Sequence, residues 1–204
     1  MDIALILHAD HGMNASTFAS LVVASTLSDI HFSIGAGIAA LNGPLHGGAN
    51  EQVILTLQRI GSAENVTQWL EGALSRKERI MGFGHRVYKA YDPRARILAP
   101  LAESLSTGNV RAESLFLTAR ELEGRVTERL GHKGIFPNVD YYSGLVYRAL
   151  GIPTELFTPV FAVSRVAGWC ARIIEYLENN RIFRPRAIYV GPFDLKYQPI
   201  EARE

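Results

Sequence analysis

The chain has 204 residues, 48% of them hydrophobic, with 21 basic against 20 acidic side chains and a formal charge of +1. That is enough for one sizeable domain or two small ones around a real core, and the near-neutral balance, without a lysine/arginine run, carries no nucleic-acid footprint. Cys170 is the only cysteine, which excludes an intrachain disulfide framework and fits a reducing compartment, and no apolar run reads as long enough to span a bilayer.

The N-terminus opens on Met1-Asp2-Ile3-Ala4-Leu5-Ile6-Leu7, apolar with an acid at its start and no basic flank. A signal peptide has the opposite charge and a small-residue cleavage site, so the stretch reads as a core segment entered midway, one that something upstream or another chain would cover. His8-Ala9-Asp10-His11 follows. Two histidines three apart can share a helix face, but no cluster of Cys, His and acids accompanies them, so no metal is expected.

From there the pattern is helical almost throughout. Asn14-Ala15-Ser16-Thr17 opens a segment with Phe18, Leu21, Val22 and Ser25 on one face. Small residues dominate His31 to Leu41, and Gly35 and Gly37 there predict close helix–helix approach, since glycine otherwise costs helix stability. Glu51 to Ile60 places Val53, Ile54, Leu57 and Ile60 on one face, and Asn65 with Gln68 predicts a capping box opening a helix through Leu74. Pro93 starts Arg94 to Ser106 with Ile97, Leu98, Leu101 and Leu105 inward, and Arg111 to Leu130 ends at Gly131 as a C′ glycine. Tyr141 to Leu150 stops at Gly151 and Pro153, and Pro159 to Leu177 carries Phe161, Val163, Val166, Trp169 and Ile173. The tail from Phe183, with Pro185, Pro192 and Pro199, reads as extended, and only Ala187 to Val190 hints at a strand. The expected fold class is all-α.

Three polar segments between these helices could carry chemistry. Gly43-Pro44-Leu45-His46-Gly47-Gly48-Ala49-Asn50 sets a histidine before two glycines and a helix start, where amides can receive an anion. A turn histidine packed on a helix start is the competing reading of His46. Gly82-Phe83-Gly84-His85-Arg86-Val87 runs on to Asp92-Pro93-Arg94, with Lys89 and Arg96 nearby. Guanidinium groups beside a histidine suit an acidic ligand, because arginine grips carboxylates through two parallel hydrogen bonds; a solvated basic loop is the alternative. Pro137-Asn138-Val139-Asp140 offers an acid that reads as an N-cap or as a general base. Arg165 stands in an otherwise apolar helix, where an unpaired charge is costly, so it needs an acid from the protein or from a substrate.

Taken in order, these segments resemble the citrate synthase family of the shorter bacterial and archaeal type. The resemblance extends to Leu7 through Thr17, to Asp140-Tyr141-Tyr142-Ser143-Gly144, to Phe157 through Arg165 and to Arg184-Pro185-Arg186. It implies an all-α, citrate synthase-like architecture: residues 51–142 as the small helical domain, and residues 1–50 and 143–204 as a discontinuous remnant of the large one. It further implies condensation of acetyl-CoA with oxaloacetate to citrate and CoA, with no cofactor. Asp140 would take the methyl proton, His46 would hydrogen-bond the thioester oxygen and His85 would donate to the ketone. His11, Arg94, Phe161 and Arg165 would surround oxaloacetate, Arg184 reaching it from the second subunit of a dimer, and Lys89 and Lys133 would lie near the coenzyme A phosphates. The runner-up within the class is 2-methylcitrate synthase, which uses propionyl-CoA; one methylene is worth only about 1–3 kcal/mol of discrimination, so these motifs do not separate the two.

Full-length members of that family carry a long N-terminal portion before the equivalent of Leu7. Three readings follow: one subunit of a split enzyme completed by a chain supplying the N-terminal helices, a truncated ordinary member, or a non-catalytic fragment that binds a carboxylate or a partner. The expectation is a cytoplasmic homodimer or hetero-oligomer, without membrane or nucleic-acid contact.

Overall fold

The computed structural model describes residues 1–203. Its helices are α1 (Asp2–His8), α2 (Ala15–Ala24), α3 (Ile30–Leu41), α4 (Ala49–Ile60), α5 (Val66–Ser75), α6 (Pro93–Ser106), α7 (Val110–Leu130), α8 (Val139–Ala149) and α9 (Phe157–Leu177). Among the described residues the fold is all-α, and extended pairing is confined to an isolated bridge between Phe83 and Pro137. Ala187 to Val190 forms no strand; it has no neighbouring strand to bond, and a lone strand has nothing to hold it.

The helices pack as two groups. The contiguous stretch α4–α8 shares a core in which Val53, Ile54 and Leu57 of α4 meet Leu98 of α6, Leu122 of α7 and Leu145 of α8. Fully burying each such side chain contributes about 1.5–3 kcal/mol. The second group takes its helices from both ends of the chain: α2 and α3 pack on α9 through Leu21, Leu41, Phe161, Trp169 and Ile173, and α1 lies along α9.

Local signals held where nothing tertiary competed. The Asn14 side chain accepts from the Ser16 and Thr17 amides and caps α2, and Asp92 caps α6 with Pro93 in its first turn. Others were overridden. Asn65 makes no cap bond; its Nδ2 donates instead to the Ile60 carbonyl (3.0 Å), closing the turn from α4, so the capping box is absent. Gly131 stays right-handed and continues into a short 3-10 turn, and the left-handed stop falls at Gly134 (φ +72°). The inward face of α6 is narrower than its apolar residues suggest: Leu98 is buried whereas Ile97 and Leu105 are exposed, as are Phe18 and Val163 on α2 and α9. Apolar character overstates burial because much of any protein surface is itself apolar.

Thr154–Leu177 is, by length and composition, long and apolar enough to cross a membrane, which corrects the sequence expectation. Arg165 interrupts the run on paper. In the fold the segment is the helix on which α1, α2 and α3 lie. Beyond it the chain runs extended, pinned where Phe183 stacks on Tyr176 (5.2 Å) and meets Phe18 edge-on (5.5 Å). Past that anchor Ile188 and Val190 are 89% and 92% exposed.

Candidate active site

The second and third polar segments are laced into one unit. The Gly84 amide donates to the Phe136 carbonyl (2.8 Å), the Asn138 amide to the Gly82 carbonyl (2.9 Å), and Asn138 Nδ2 to the Gly84 carbonyl (3.0 Å). Gly82 is required here. Its φ is +80°, and a Cβ would lie 2.6 Å from Val53 and 2.7 Å from the Tyr141 ring. Asn138 is also the true N-cap of α8, accepting from the Asp140 amide (3.0 Å). Asp140 therefore sits inside the first turn rather than capping it, and the cap reading is corrected.

Asp140 is half-buried as a residue, but its Oδ1 is sealed from solvent and has no partner. Desolvation disfavours the charged form and pushes its carboxyl up to about 7, against the pull of the Arg94 and Arg165 charges.

His85 has a defined tautomer. Its Nδ1 accepts from the Val87 (3.0 Å) and Tyr88 (3.1 Å) amides, so the neutral ring carries its proton on Nε2. That Nε2–H donates to His11 Nε2 at 3.0 Å, which leaves the His11 proton on Nδ1. Burial, then the Arg94 charge, lowers both rings, His11 to about 4. His11 stands outside α1 and faces His85, whereas His8 is buried against Phe161 (4.5 Å between ring centres), so the two histidines do not share a helix face.

Asp92 shapes the cationic side of the site. Its Oδ1 accepts from the Arg94 amide (2.9 Å) and Nε (3.1 Å), and its Oδ2 from an Arg94 terminal nitrogen (2.8 Å) and the Val139 amide (3.2 Å). One buried carboxylate thus caps α6, aims Arg94 and joins it to the turn that carries Asp140. Sequence reasoning passed over Asp92 as a site residue; the signal was an acid directly before a helix-starting proline.

Arg165 is 1% exposed, and among the described residues no carboxylate pairs with it. Its Nε donates to the His8 carbonyl (2.6 Å), its guanidinium lies 4.8 Å from the Phe161 ring centre, and one terminal nitrogen has no partner. Burial, then repulsion from Arg94, lowers its pKa to about 10. The loop that brings His11 here crosses α9 at Gly168, where a Cβ would lie 2.3 Å from the Ala9 carbonyl.

His46 sits in the loop between α3 and α4. Its Nε2 receives the Ser16 amide (3.3 Å) and meets Ser16 Oγ at 2.9 Å, while Trp169 Nε1 donates to that same Oγ (3.2 Å). With the amide as donor, the ring proton is on Nδ1. Burial and the Arg165 charge lower His46 to about 4, and Phe161 lies 6.4 Å away between centres. The glycine after it serves packing rather than ligand approach: a Cβ on Gly47 would meet Leu41 at 2.6 Å.

Thus His11, His46, His85, Arg94, Asp140, Phe161 and Arg165 form one cluster, drawn from both helix groups and linked by hydrogen bonds, ring contacts and mutual charge effects. Arg184 lies apart, exposed on the extended tail, its guanidinium donating to the neighbouring Pro185 carbonyl (3.3 Å) and to no other group among the described residues. Lys89 and Lys133 are exposed, on loops that touch: a Gly134 Cβ would lie 3.0 Å from the Lys89 carbonyl.

Comparison with known proteins identifies the family and the fold. Residues 1–186 match the family model "Citrate synthase, C-terminal domain". Citrate synthase of Synechocystis sp. is 54% identical over 202 residues, covering 99% of this chain and 51% of that protein. That of Saccharolobus solfataricus is 50% identical over 205 residues, covering 100% and 54%. The solved ternary complex of Thermoplasma acidophilum citrate synthase with carboxymethyl coenzyme A and oxaloacetate superimposes with a TM-score of 0.94 at 48% identity, covering 98% of this chain and 54% of that one. The chain spans about half the length of the curated relatives it matches. It belongs to the citrate synthase family.

Proposed function

We propose that this chain carries the reacting groups of a citrate synthase, condensing acetyl-CoA with oxaloacetate to citrate and CoA. The observation that carries the reading is a buried arginine, Arg165, with which no carboxylate among the described residues pairs, beside a carboxyl held near neutral pH, Asp140. A buried, unpaired guanidinium is costly, and a substrate carboxylate relieves that cost.

Asp140, ionised, removes a methyl proton from the thioester. His46 Nδ1–H donates to the thioester oxygen as it becomes negative, since a poor carbon acid needs base and oxyanion donor together. The resulting enolate carbon attacks the oxaloacetate ketone, and His85 Nε2–H, exchanging His11 for the substrate, donates to the new alkoxide. Arg94, Arg165 and His11 hold the carboxylates, and Phe161 walls the pocket. Water then cleaves the citryl thioester to citrate and free thiol. Lys89 and Lys133 attract the coenzyme A phosphates. The α4–α8 group, residues 49–149 rather than the expected 51–142, acts as the smaller closing domain against the helices from both ends of the chain. No cofactor takes part, and the setting is cytoplasmic.

The working form is an oligomer, either a homodimer or a complex with a chain that supplies further helices. An extended tail with bare apolar side chains supports this, as does Arg184, exposed and donating to the neighbouring Pro185 carbonyl alone among the described residues.

The test is oxaloacetate-dependent thiol release from acetyl-CoA by the purified chain, with propionyl-CoA in parallel. Release that Asp140→Ala abolishes while oxaloacetate still binds is expected. Arg165→Leu should weaken oxaloacetate binding about 10- to 100-fold, the worth of hydrogen bonds to a charged group. A folded chain that binds oxaloacetate through Arg165 but releases no thiol would replace the reading with that of a carboxylate-binding subunit.

A further inference from the structure

α7 gives no residue to the cluster just described, yet it buries a carboxylate. Glu123 is 7% exposed, and a buried charge is costly unless it is paired and hydrogen-bonded. Here it is both. Its Oε1 accepts from the Tyr91 hydroxyl at 2.5 Å, and its Oε2 accepts from the Tyr142 hydroxyl and from Arg120 at 2.5 Å. The same Arg120 nitrogen also donates to the Tyr142 oxygen at 3.0 Å. Packing alone does not call for this arrangement, since apolar residues of similar volume often serve as well as a buried ion pair or better.

What the carboxylate joins is specific. Tyr91 directly precedes Asp92, which aims Arg94, and Tyr142 lies two residues after Asp140 on α8. The bond from the Val139 amide to Asp92 Oδ2 (3.2 Å) joins the same segments from the other side. The loop and the helix are thus held at two points, one of them on α7.

We propose that Glu123 is a positioning residue: it ties the loop carrying Arg94 to the helix carrying Asp140 and so sets the spacing between carboxylate grip and base. Its kinetic consequence rests on the condensation proposed above; its mechanical consequence does not. Either hydroxyl removed should loosen the opposite segment, and both removed should do little more than one, because the tie needs both ends.

The experiment uses the full chain with Tyr91→Phe, Tyr142→Phe and the double variant, read by amide hydrogen exchange and by kcat/KM for oxaloacetate. Tyr142→Phe should speed exchange several-fold in residues 83–92, and Tyr91→Phe should do so at Val139. In kcat/KM each single variant should lose about tenfold and the double about tenfold again in total rather than about a hundredfold, the non-additivity of residues acting as a unit. Exchange changes confined to the mutated segment, with losses that multiply, would overturn the tie. Coupled exchange in the variants, with no thiol release by the unsubstituted chain, would keep the tie and remove the condensation reading instead.

Discussion

At the scale of single residues the site runs on opposed pKa shifts with one dominant cause. Desolvation raises Asp140 to about 7 and lowers His8, His11 and His46 to about 4. The carboxyl is therefore poised near neutrality while the rings stay uncharged, which suits the base and donor roles proposed for them. The proposed condensation should rise with pH through about 7 as Asp140 ionises, read as kcat/KM across pH 5.5 to 8.5; a flat profile would take the proposed base role from Asp140. Stability should follow the histidines. Their folded pKa values lie below the unfolded value, so their contribution is present above about pH 6.5 and is lost as pH falls through about 4. Asp140 runs the other way: its raised pKa favours the fold in acid, and that contribution is lost as pH rises through about 7. Because three histidines oppose one aspartate, the urea midpoint should drop between pH 6.5 and 4.

At the scale of elements, helix crossings decide which glycines matter. Gly144 lets α8 meet α4, with a Cβ placed 2.8 Å from the Asn50 carbonyl, and Gly168 lets α9 meet the His11 loop. Alanine at either should cost about 1–3 kcal/mol by overpacking against backbone that cannot yield. Gly35 on α3 and Gly124 on α7 face nothing within 4 Å, so alanine there should stabilise by about 0.5–1 kcal/mol through helix propensity. Denaturant titration of the four variants separates the two classes. The sequence marks Gly35 and Gly37 alike as points of close approach, but only Gly37 makes one, against Ser20 and Trp169. Which side of a helix meets a neighbour is absent from its composition. The same holds for Asn65 and Gly131, whose cap roles passed to the Ile60 carbonyl contact and to Gly134.

At the scale of the whole molecule, the site cluster lies where two helix groups meet. His11, His46, Phe161 and Arg165 come from one, and His85, Arg94 and Asp140 from the other. The His11–His85 hydrogen bond (3.0 Å) joins them across 74 residues of chain. The tail beyond Phe183 exposes a run of large apolar side chains, Ile188, Val190, Phe193 and Tyr197 among them. Removing residues 187–204 should lower the association state of the chain by sedimentation while leaving its helical circular dichroism unchanged. An unaltered sedimentation coefficient would assign those side chains no part in assembly.

The sequence by itself determined the all-α class, most helix positions and the three polar segments, because periodicity, caps and glycine or proline turns act over a few residues. Only the tertiary structure decided that Asp140 is no cap but a half-buried acid, that Asp92 and Glu123 hold the loop to the helix, and that no carboxylate among the described residues pairs with Arg165. Those properties come from desolvation and from hydrogen bonds between distant segments, which exist only once the helices have packed.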